Sequence, residues 1–403
     1  MTNITYASIV PLIGGLDIAI GKVLNQKPKY ILSYSAFKEN DSHLLNYYNN
    51  NIPYYNLDDG IPCINYNVDI VGSICPCAGL SQLSNKYGDS NVNNDWMIKT
   101  TKFVLEKIKP KVFFSENAPG FVGKIGKTFR EEMIDIADEF GYSMSAYRTK
   151  SLLHGISQVR ERSFYFFWKG NKVPIFNYYS RPRTTIEEEI KSAASINSQQ
   201  EPINRKAPSV NPYYRFILEV IHNGRSHTEH SKLVEPAKSV RENDTFAYIE
   251  KMGYSYMDVA EWMKKHNFSK EYDECVYKYN KLQSGKDIMR RGVIIPKDHI
   301  GAFVGLYPKR LTHPVEDRYI TFREAMTIMG MPADFELLSP RKSINHICQN
   351  VPVKTAMDMA TEIKESLQGN RNWVEAKYLL QNNNSREVLE EINRNESSVM
   401  GFF

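Results

Sequence analysis

The sequence lacks any long hydrophobic segment. None of its apolar runs approaches the roughly 20 residues that a membrane-spanning helix needs. The N-terminus also lacks a basic segment followed by an apolar one, which is the pattern of a secretory signal peptide. We therefore expect a cytoplasmic protein with no membrane partner.

Cysteine is also scarce. The 403 residues contain five cysteines, an odd number scattered along the chain, as is typical of free thiols in a reducing cytosol. Cys75 and Cys77 stand two apart, but no second pair of Cys or His residues at metal-ligand spacing follows them. The sequence therefore predicts no metal site. The five cysteines are Cys63, Cys75, Cys77, Cys275 and Cys348.

Neither basic nor acidic residues are in large excess, since the formal net charge is +5. Such a balance permits a polyanionic partner but does not require one. A hydrophobic content of 42% and a charged content of 24% describe an ordinary soluble globular protein. A chain of this length can form two domains with at least one sizeable core.

The most informative stretch is residues 69–81, DIVGSICPCAGLS. The apolar run Val68–Val71 predicts a buried strand of a parallel sheet, and Pro76 stiffens the following turn, which presents Cys77. A thiol at the carboxyl end of a parallel strand lies where α/β sheets form their ligand crevices. From this stretch alone, a nucleophilic cysteine and a buried structural cysteine are equally favoured.

Two further turns carry glycines or carboxylates. Residues 9–23 change from a strand pattern to a helical one at Gly14 and Gly15, and such a turn lets the backbone approach an anionic ligand. A plain tight turn is nevertheless the favoured interpretation of this segment alone. The turn at Asp58 and Asp59 is likewise more typical of a solvated loop than of a ligand site.

Another predicted buried strand ends in a carboxylate. Residues 111–120, KVFFSENAPG, place Glu116 and Asn117 at the carboxyl end of an apolar run, just before a Pro-Gly turn. A carboxylate at that point is costly to bury unless it has a partner or a chemical task. A helix-capping or solvent-facing glutamate would be favoured if the segment stood alone.

Gln158, Arg160 and Arg162 alternate along the chain as it enters a strongly apolar strand, so we expect them to point to one side. A solvated edge is one interpretation of this alternation. A site for an anion or a base is the more attractive one, because the chain already offers a thiol and a carboxylate.

The alternation of strand and helix patterns stops near residue 171. We predict a first domain at residues 1–170, an inserted second domain at 171–310 and a return to the first domain at 311–370. Thr321, with Glu324 at the capping-box position, marks a helix in the returning segment. Residues 371–403 are predicted to form a peripheral helix with a frayed end.

Five short blocks occur along the chain in a particular order. Together they resemble the ordered signature blocks of the C5-cytosine DNA methyltransferases, with the insert in the expected gap. The resemblance covers roughly residues 5–170 and 311–365. It implies an α/β fold, a Rossmann-like S-adenosylmethionine-dependent methyltransferase domain with an inserted target-recognition domain. The blocks are Pro76-Cys77, Ser115-Glu116-Asn117-Ala118, Gln158–Arg162, Tyr319–Ala325 and Gln349–Pro352.

The resemblance assigns catalytic roles to four residues. Cys77 would attack C6 of cytosine, and Glu116 would hold or protonate its N3 edge. Arg162 would orient the base and Glu116, while Arg160 would support the site. Because C6 is buried in a base stack, the cytosine must be flipped out of the duplex, and the loop from Ser81 to Asp95 would close behind it.

Contacts with DNA are implied for a second set of residues. Asn117, Gln158 and Ser81 belong to the resembling blocks or to the loop after Cys77. In the insert, Arg290 and Arg291 are candidates for reading guanine or contacting phosphate, although a solvated charge pair is the default interpretation.

The resemblance also implies S-adenosylmethionine as cofactor, with departures from the family pattern. Where the family has Phe-x-Gly-x-Gly-Gly, Val10 stands in place of the aromatic residue and Leu12 in place of the first glycine. The acid that usually follows the second strand and binds ribose has no clean match, since Ser35 or Ala36 falls near its place and Glu39 comes later. The candidate cofactor residues are Val10, Ile13, Gly14, Gly15, Asp58, Asp59, Pro76 and Asn350.

Three hypotheses follow. The leading one is a DNA cytosine-C5 methyltransferase in a prokaryotic or viral-host cytoplasm, acting as a monomer on double-stranded DNA, with a restriction endonuclease as a candidate partner. A second is a non-catalytic relative that binds DNA or a partner, and the altered cofactor segment favours it. A third keeps the fold but acts on RNA or uses a modified cofactor. The complete set of catalytic residues favours the first.

Overall fold

The computed structural model describes residues 3–76, 80, 95–234, 244–288, 292–305 and 307–384. Strands in these ranges, in chain order, are β1 (Tyr6–Ile9), β2 (Ile31–Ser33), β3 (Tyr54–Asn56), β4 (Ile70–Ser73), β5 (Val112–Asn117), β6 (Tyr142–Lys150), β7 (Gln158–Val159), β8 (Glu161–Lys169), β9 (Lys172–Pro174), β10 (Ile300–Gly301), β11 (Trp373–Glu375) and β12 (Tyr378–Asn382).

The helices of the described ranges include none that is long and apolar enough to cross a membrane. They are α1 (Gly15–Leu24), α2 (Lys38–Tyr47), α3 (Asp95–Phe103), α4 (Lys127–Glu139), α5 (Ile186–Ala193), α6 (Pro212–Phe216), α7 (His227–Leu233), α8 (Thr245–Lys251), α9 (Tyr256–Lys265), α10 (Ser269–Gln283), α11 (Phe322–Ile328), α12 (Pro340–Gln349) and α13 (Val353–Leu367).

Eight strands form one central sheet in the order β3-β2-β1-β4-β5-β8-β6-β12. Strands β1 to β5 are parallel to their neighbours within this set, whereas β8 runs antiparallel between β5 and β6. The strand order reverses direction between β1 and β4, and open α/β sheets form their ligand crevice at such a switch point. The predicted α/β class is confirmed, and the crevice lies where the Gly14–Gly15 turn and Pro76 follow their strands.

The register between β5 and β8 is fixed by aromatic pairs. Phe113 is paired with Phe167, and Phe114 with Phe166. Their rings are stacked, with centroids 5.6 Å and 5.7 Å apart. Because Phe113 and Phe114 lie on opposite faces of the sheet and are both fully buried, a slip of one residue would break both stacked pairs. The pairs therefore also determine what lies opposite the polar carboxyl end of β5.

A second hydrophobic core lies in the inserted region. It contains buried residues between Tyr213 and Ile295, together with Tyr319, and is built mainly by helices α6 and α8–α10. Residues 173–203 instead contribute to the first core, through Phe176 and Ile190 among others. The second core therefore begins well after residue 171, where the sequence pattern changes.

The helix predicted for residues 371–403 is wrong in its described part. Residues 373–375 and 378–382 are strands, and β12 pairs in parallel with β6 at the edge of the central sheet. Gln381 holds this edge by exchanging two hydrogen bonds with the backbone of Phe176, at 2.8 Å and 2.9 Å. The residues around this strand are charged and Asn-rich, so their pattern does not predict it. The strand is stabilised by its pairing with β6.

A buried carboxylate joins α1 to the sheet. Asp17 is only 1% exposed and accepts hydrogen bonds from the hydroxyl groups of Ser8 in β1 and Tyr48 at the end of α2. Burial raises the pKa of Asp17 from 3.8 to about 6, although the bonds from Ser8 and Tyr48 oppose this rise. The helix that follows the Gly14–Gly15 turn is thus anchored by a titratable group.

We expect Asp17→Asn to change how the free energy of unfolding depends on pH. Because the pKa is raised on folding, the folded protein keeps this proton to higher pH than the unfolded chain does. The wild type should therefore lose stability as the pH rises from 3.8 to about 6. A shift of this size corresponds to roughly 3 kcal/mol, and the variant should lack that loss. Urea unfolding at pH 4 and pH 8 measures the difference.

Asp69→Asn serves as a control, because the contribution of Asp69 to stability should change with pH in the opposite direction. Burial would raise the pKa of Asp69, but Lys111 and Thr5 lower it overall. Asp69 should therefore add stability as the pH rises. The account of Asp17 is contradicted if the free energy of unfolding differs between the wild type and Asp17→Asn by the same amount at pH 4 and at pH 8.

Candidate active site

The carboxyl end of β5 carries a buried ion pair. Glu116 is 2% exposed, and Nε of Arg162 in β8 lies 2.5 Å from its Oε1. Glu116 stands opposite Phe164 across the two strands, so Arg162 is its diagonal neighbour on the same face of the sheet. The register set by the phenylalanine pairs therefore brings this arginine to the carboxylate. The sequence alternation predicts the side of the strand to which Arg162 points, and the register places Glu116 on that side.

Arg160 and Gln158 are both buried and hold distant segments together. Arg160 donates through Nη1 to the carbonyl of Phe303 (2.7 Å) and through Nη2 to the carbonyl of Cys348 (3.1 Å). Gln158 accepts a bond from the amide of Phe303 at 3.0 Å. Since Gln158 is 0% exposed, its side chain does not reach a DNA surface in this arrangement. The contacts of both residues are those of a scaffold beneath the site.

Asn117 is also completely buried. Its Oδ1 accepts a bond from the amide of Ala118 at 2.8 Å, and its Nδ2 lies 2.9 Å from Sδ of Met97 in α3. The side chain of Asn117 therefore does not reach a DNA surface in this arrangement, in contrast to the predicted DNA contact. Its side chain shapes the turn that follows Glu116.

The turn after β5 packs tightly against the segment that follows β4. A Cβ atom on Gly120 would lie 2.3 Å from the carbonyl oxygen of Leu80, so only glycine fits there. Leu80 and Pro76 are the described residues on either side of the predicted nucleophile. Cys77 itself lies outside the described residues, as do Ser81, Arg290 and Arg291.

The neighbouring thiol, that of Cys75, is buried. Cys75 is 2% exposed, and its Sγ lies 3.3 Å from the hydroxyl of Ser73. Burial raises the pKa of the Cys75 thiol. Because the thiolate is the reactive form of cysteine, this residue is poorly suited to nucleophilic attack, and Cys77 stays the candidate.

The turn at the end of β1 has an unusual backbone. Val10 and Leu12 have φ values of 50° and 53°, and Gly14 has 93°. The left-handed region favours glycine, so Leu12 is strained at the position where the family pattern has a glycine. The side chains of Val10 and Ile13 are fully buried, which leaves only the backbone of this turn to face a ligand.

Asn350 fastens this turn to the last signature block. Its Oδ1 accepts a hydrogen bond from the amide of Gly15 at 2.9 Å, and a Cβ on Gly15 would lie 2.3 Å from that oxygen. The glycine at position 15 is therefore required by contact with Asn350. Residues 335 positions apart in the chain thus meet at the crevice.

Sequence reasoning missed Asp41, which lies beneath the same turn. This residue of α2 is 0% exposed and accepts a bond from the hydroxyl of Tyr54 at 3.1 Å. Burial raises the pKa of Asp41 to about 7, against bonds from Ser33, Tyr54 and the backbone of Leu12. Its polar neighbours in the sequence gave no signal of burial.

The candidate cofactor residues gather at one edge of the sheet. The carboxyl ends of β1 to β4 bring together the Gly14–Gly15 turn, Ser35, Asp58 and Pro76. Asp58 and Asp59 are both exposed at this edge. Within the described ranges, no group of three or more His, Cys, Asp or Glu residues could hold a metal ion.

Comparisons with known proteins agree with this topology. The model of the family described as C-5 cytosine-specific DNA methylase matches residues 5–365. A relative from Methanocaldococcus jannaschii, whose name describes a type II methyltransferase, is 24% identical over 322 residues, or 75% of this chain and 67% of the relative.

Two solved structures share the fold. A protein described as a DNA modification methyltransferase and encoded within an E. coli prophage has a TM-score of 0.55 and 14% identity, covering 91% of this chain and 99% of its own. A Spodoptera frugiperda DNMT2 variant has a TM-score of 0.51 and 13% identity, covering 90% of this chain and 100% of its own. The Rossmann-like methyltransferase fold implied by the sequence is confirmed.

We expect Gly120→Ala to destabilise the protein. The new Cβ would press on two backbone atoms of Leu80, at 2.3 Å and 3.2 Å, and backbone cannot move aside as a side chain can. Overpacking of this kind typically costs about 1–3 kcal/mol, measured as the free energy of unfolding in urea.

Gly123→Ala is the matched control, because the nearest atom to its new Cβ is 3.4 Å away. It should change the free energy of unfolding by no more than about 0.5 kcal/mol. Equal effects of the two substitutions would contradict a specific contact between Gly120 and Leu80.

Proposed function

This chain belongs to the C-5 cytosine-specific DNA methylase family and is a DNA cytosine methyltransferase; on that premise, we propose that it transfers a methyl group from S-adenosylmethionine to C5 of a flipped-out cytosine through a covalent adduct between Cys77 and C6. The observation that carries the proposal is the buried pair of Glu116 and Arg162, at the sheet edge that also receives the turn after β4.

Cys77 would be the nucleophile. Cytosine C5 is a poor nucleophile until a thiolate adds to C6, which makes the ring electron-rich at C5. The new bond joins Sγ of Cys77 to C6. After methyl transfer, loss of the C5 proton and breakage of the bond between Sγ and C6 restore the aromatic base and the thiolate. The raised pKa of Cys75 supports Cys77 as the reactive thiol of the pair.

Glu116 would bind the N3 edge of the base. Electron density shifts towards N3 when the thiolate adds to C6, so a carboxyl group that shares a proton with N3 stabilises the transition state. The carboxylate of Glu116 is nearly inaccessible to solvent, and Arg162 holds it in place. A rigid, desolvated carboxyl group suits this task because it needs no reorganisation during the reaction.

S-adenosylmethionine, when bound, would supply an electrophilic methyl group. Gly14, Gly15 and Pro76 would line its site through backbone, and Asp58 or Asp59 would contact its adenosine part. Asn350 would act mainly by fixing the turn, since its Oδ1 already accepts the amide hydrogen of Gly15. These residues orient the cofactor and take no part in bond making.

The inserted region would recognise the target sequence in double-stranded DNA. Its separate hydrophobic core supports an independent recognition module, and Arg290 and Arg291 would contact bases or phosphates. We further propose action as a monomer on DNA. Because the Methanocaldococcus relative is named a type II methyltransferase, a restriction endonuclease of the same specificity is proposed as a partner.

A non-catalytic DNA-binding relative is the second candidate. The left-handed backbone at Val10 and Leu12 favours it, since this is where the family pattern has residues suited to the cofactor. Transfer of labelled methyl from S-adenosylmethionine to mixed-sequence duplex DNA decides between the two candidates. Label in the DNA supports the enzyme, whereas DNA binding without label supports the relative.

We expect Cys77→Ser to lower methyl transfer by at least roughly a thousandfold, as removal of a covalent nucleophile does in other enzymes. Cys75→Ala is the matched control and should retain transfer, because its thiol is buried and protonated. DNA binding, measured by fluorescence anisotropy, should persist in both variants. Undiminished turnover by Cys77→Ser would sink the assignment of the nucleophile.

A further inference from the structure

None of the five residues that follow β2, Tyr34 to Lys38, is acidic. Among them, Ser35 and Ala36 are exposed, two and three residues after the end of the strand. Asp41 is fully buried. Glu39 stands further along, in the first turn of α2, six residues after the last residue of β2. In Rossmann-type folds an acid near this point binds the ribose hydroxyls.

A carboxylate from the next strand reaches that place. Oδ2 of Asp58, in the turn after β3, accepts a hydrogen bond from the amide of Ser35 at 2.9 Å. Beside it, Nδ2 of Asn56 donates to the hydroxyl of Ser35 at 2.8 Å. Two hydrogen bonds therefore tie the end of β3 to the end of β2 and hold the Asp58 carboxylate against the β2 turn.

The second oxygen of this carboxylate is available to a ligand. Among the described residues, Oδ1 of Asp58 has as its polar neighbour only the ammonium of Lys99, at 4.0 Å, which is too long for a hydrogen bond. The Asp58 side chain is 41% exposed. The carboxylate is thus held through Oδ2, while Oδ1 accepts no hydrogen bond from the described residues.

Aromatic side chains stand next to this oxygen. Lys99 lies 4.1 Å from the ring centroid of Tyr34, and the rings of Tyr34 and Trp96 are 4.9 Å apart. Phe37 packs on the other side of Trp96 at 5.0 Å. Tyr34 and Phe37 are buried, whereas Trp96 is half-buried and is the ring of this group that borders the surface. An acceptor near such a ring matches a nucleoside, which has hydroxyl donors on its sugar and a flat base.

We propose that Asp58 is the residue that binds the ribose hydroxyls of the cofactor, in place of the acid that β2 lacks. This inference rests on the proposed function, because it concerns the adenosine of S-adenosylmethionine. It makes Asp58 a specificity-determining residue for cofactors with an intact ribose. It also separates Asp58 from its neighbour Asp59, which makes no contact of this kind in the described structure.

The test is equilibrium binding by calorimetry, with S-adenosylhomocysteine and its 2′-deoxy and 3′-deoxy analogues as probes. Asp58→Asn keeps an oxygen for the Ser35 amide but removes the charge, and Asp59→Asn is the matched control. Hydrogen bonds to a charged group are worth roughly a ten- to hundredfold change in affinity. We expect the affinity of the wild type to fall by that factor when a ribose hydroxyl is removed from the probe. The affinity of Asp58→Asn for the intact probe should be lower than that of the wild type by the same factor.

The decisive quantity is the ratio of affinities for the intact and deoxy probes. This ratio should collapse towards one in Asp58→Asn and stay at the wild-type value in Asp59→Asn. A wild-type ratio in a folded Asp58→Asn protein overturns the assignment while leaving the proposed function standing. Failure of the wild-type protein to bind S-adenosylhomocysteine, with or without duplex DNA, overturns both.

Discussion

The buried contact between Glu116 and Arg162 is the interaction on which the rest of the site depends. A carboxylate removed from water is strongly unfavourable unless a cation meets it, and here the cation comes from the adjacent antiparallel strand. That strand can deliver the arginine only in one register, which the stacked phenylalanines of β5 and β8 determine. Core packing and site chemistry are therefore coupled through a single strand pair.

Buried polar contacts then connect this strand pair to segments far away in the sequence. Arg160 binds carbonyl groups at Phe303 and Cys348, which bring the end of the insert and the last signature block to β8. Asn350 passes the connection on to the turn after β1 by accepting the amide hydrogen of Gly15. The base side and the cofactor side of the crevice are therefore both tied to the same short segment, residues 348–350.

The sequence predicts well those features that a local pattern encodes. The apolar strand before Glu116 and the alternation through Arg162 are both visible in it, because each depends on neighbouring residues. The burial of Asp17 and Asp41, the carbonyl partners of Arg160 and the strand β12 are not visible, since each arises only when distant segments meet. The left-handed backbone of Leu12 belongs to the same class: the sequence shows an unusual residue there but not its conformation.

The most direct test of the account is to identify the residue that bonds to the base. The protein would be incubated with S-adenosylmethionine and duplex DNA containing 5-fluorocytosine. In this base, fluorine replaces the C5 proton that must be lost, so elimination is blocked and the adduct persists. Mass spectrometry of the digested complex should find the nucleotide on Cys77, joined through C6. An adduct on Cys75, or methylation of ordinary DNA without any trapped adduct, would contradict the assignment of the nucleophile and the chemistry built on it.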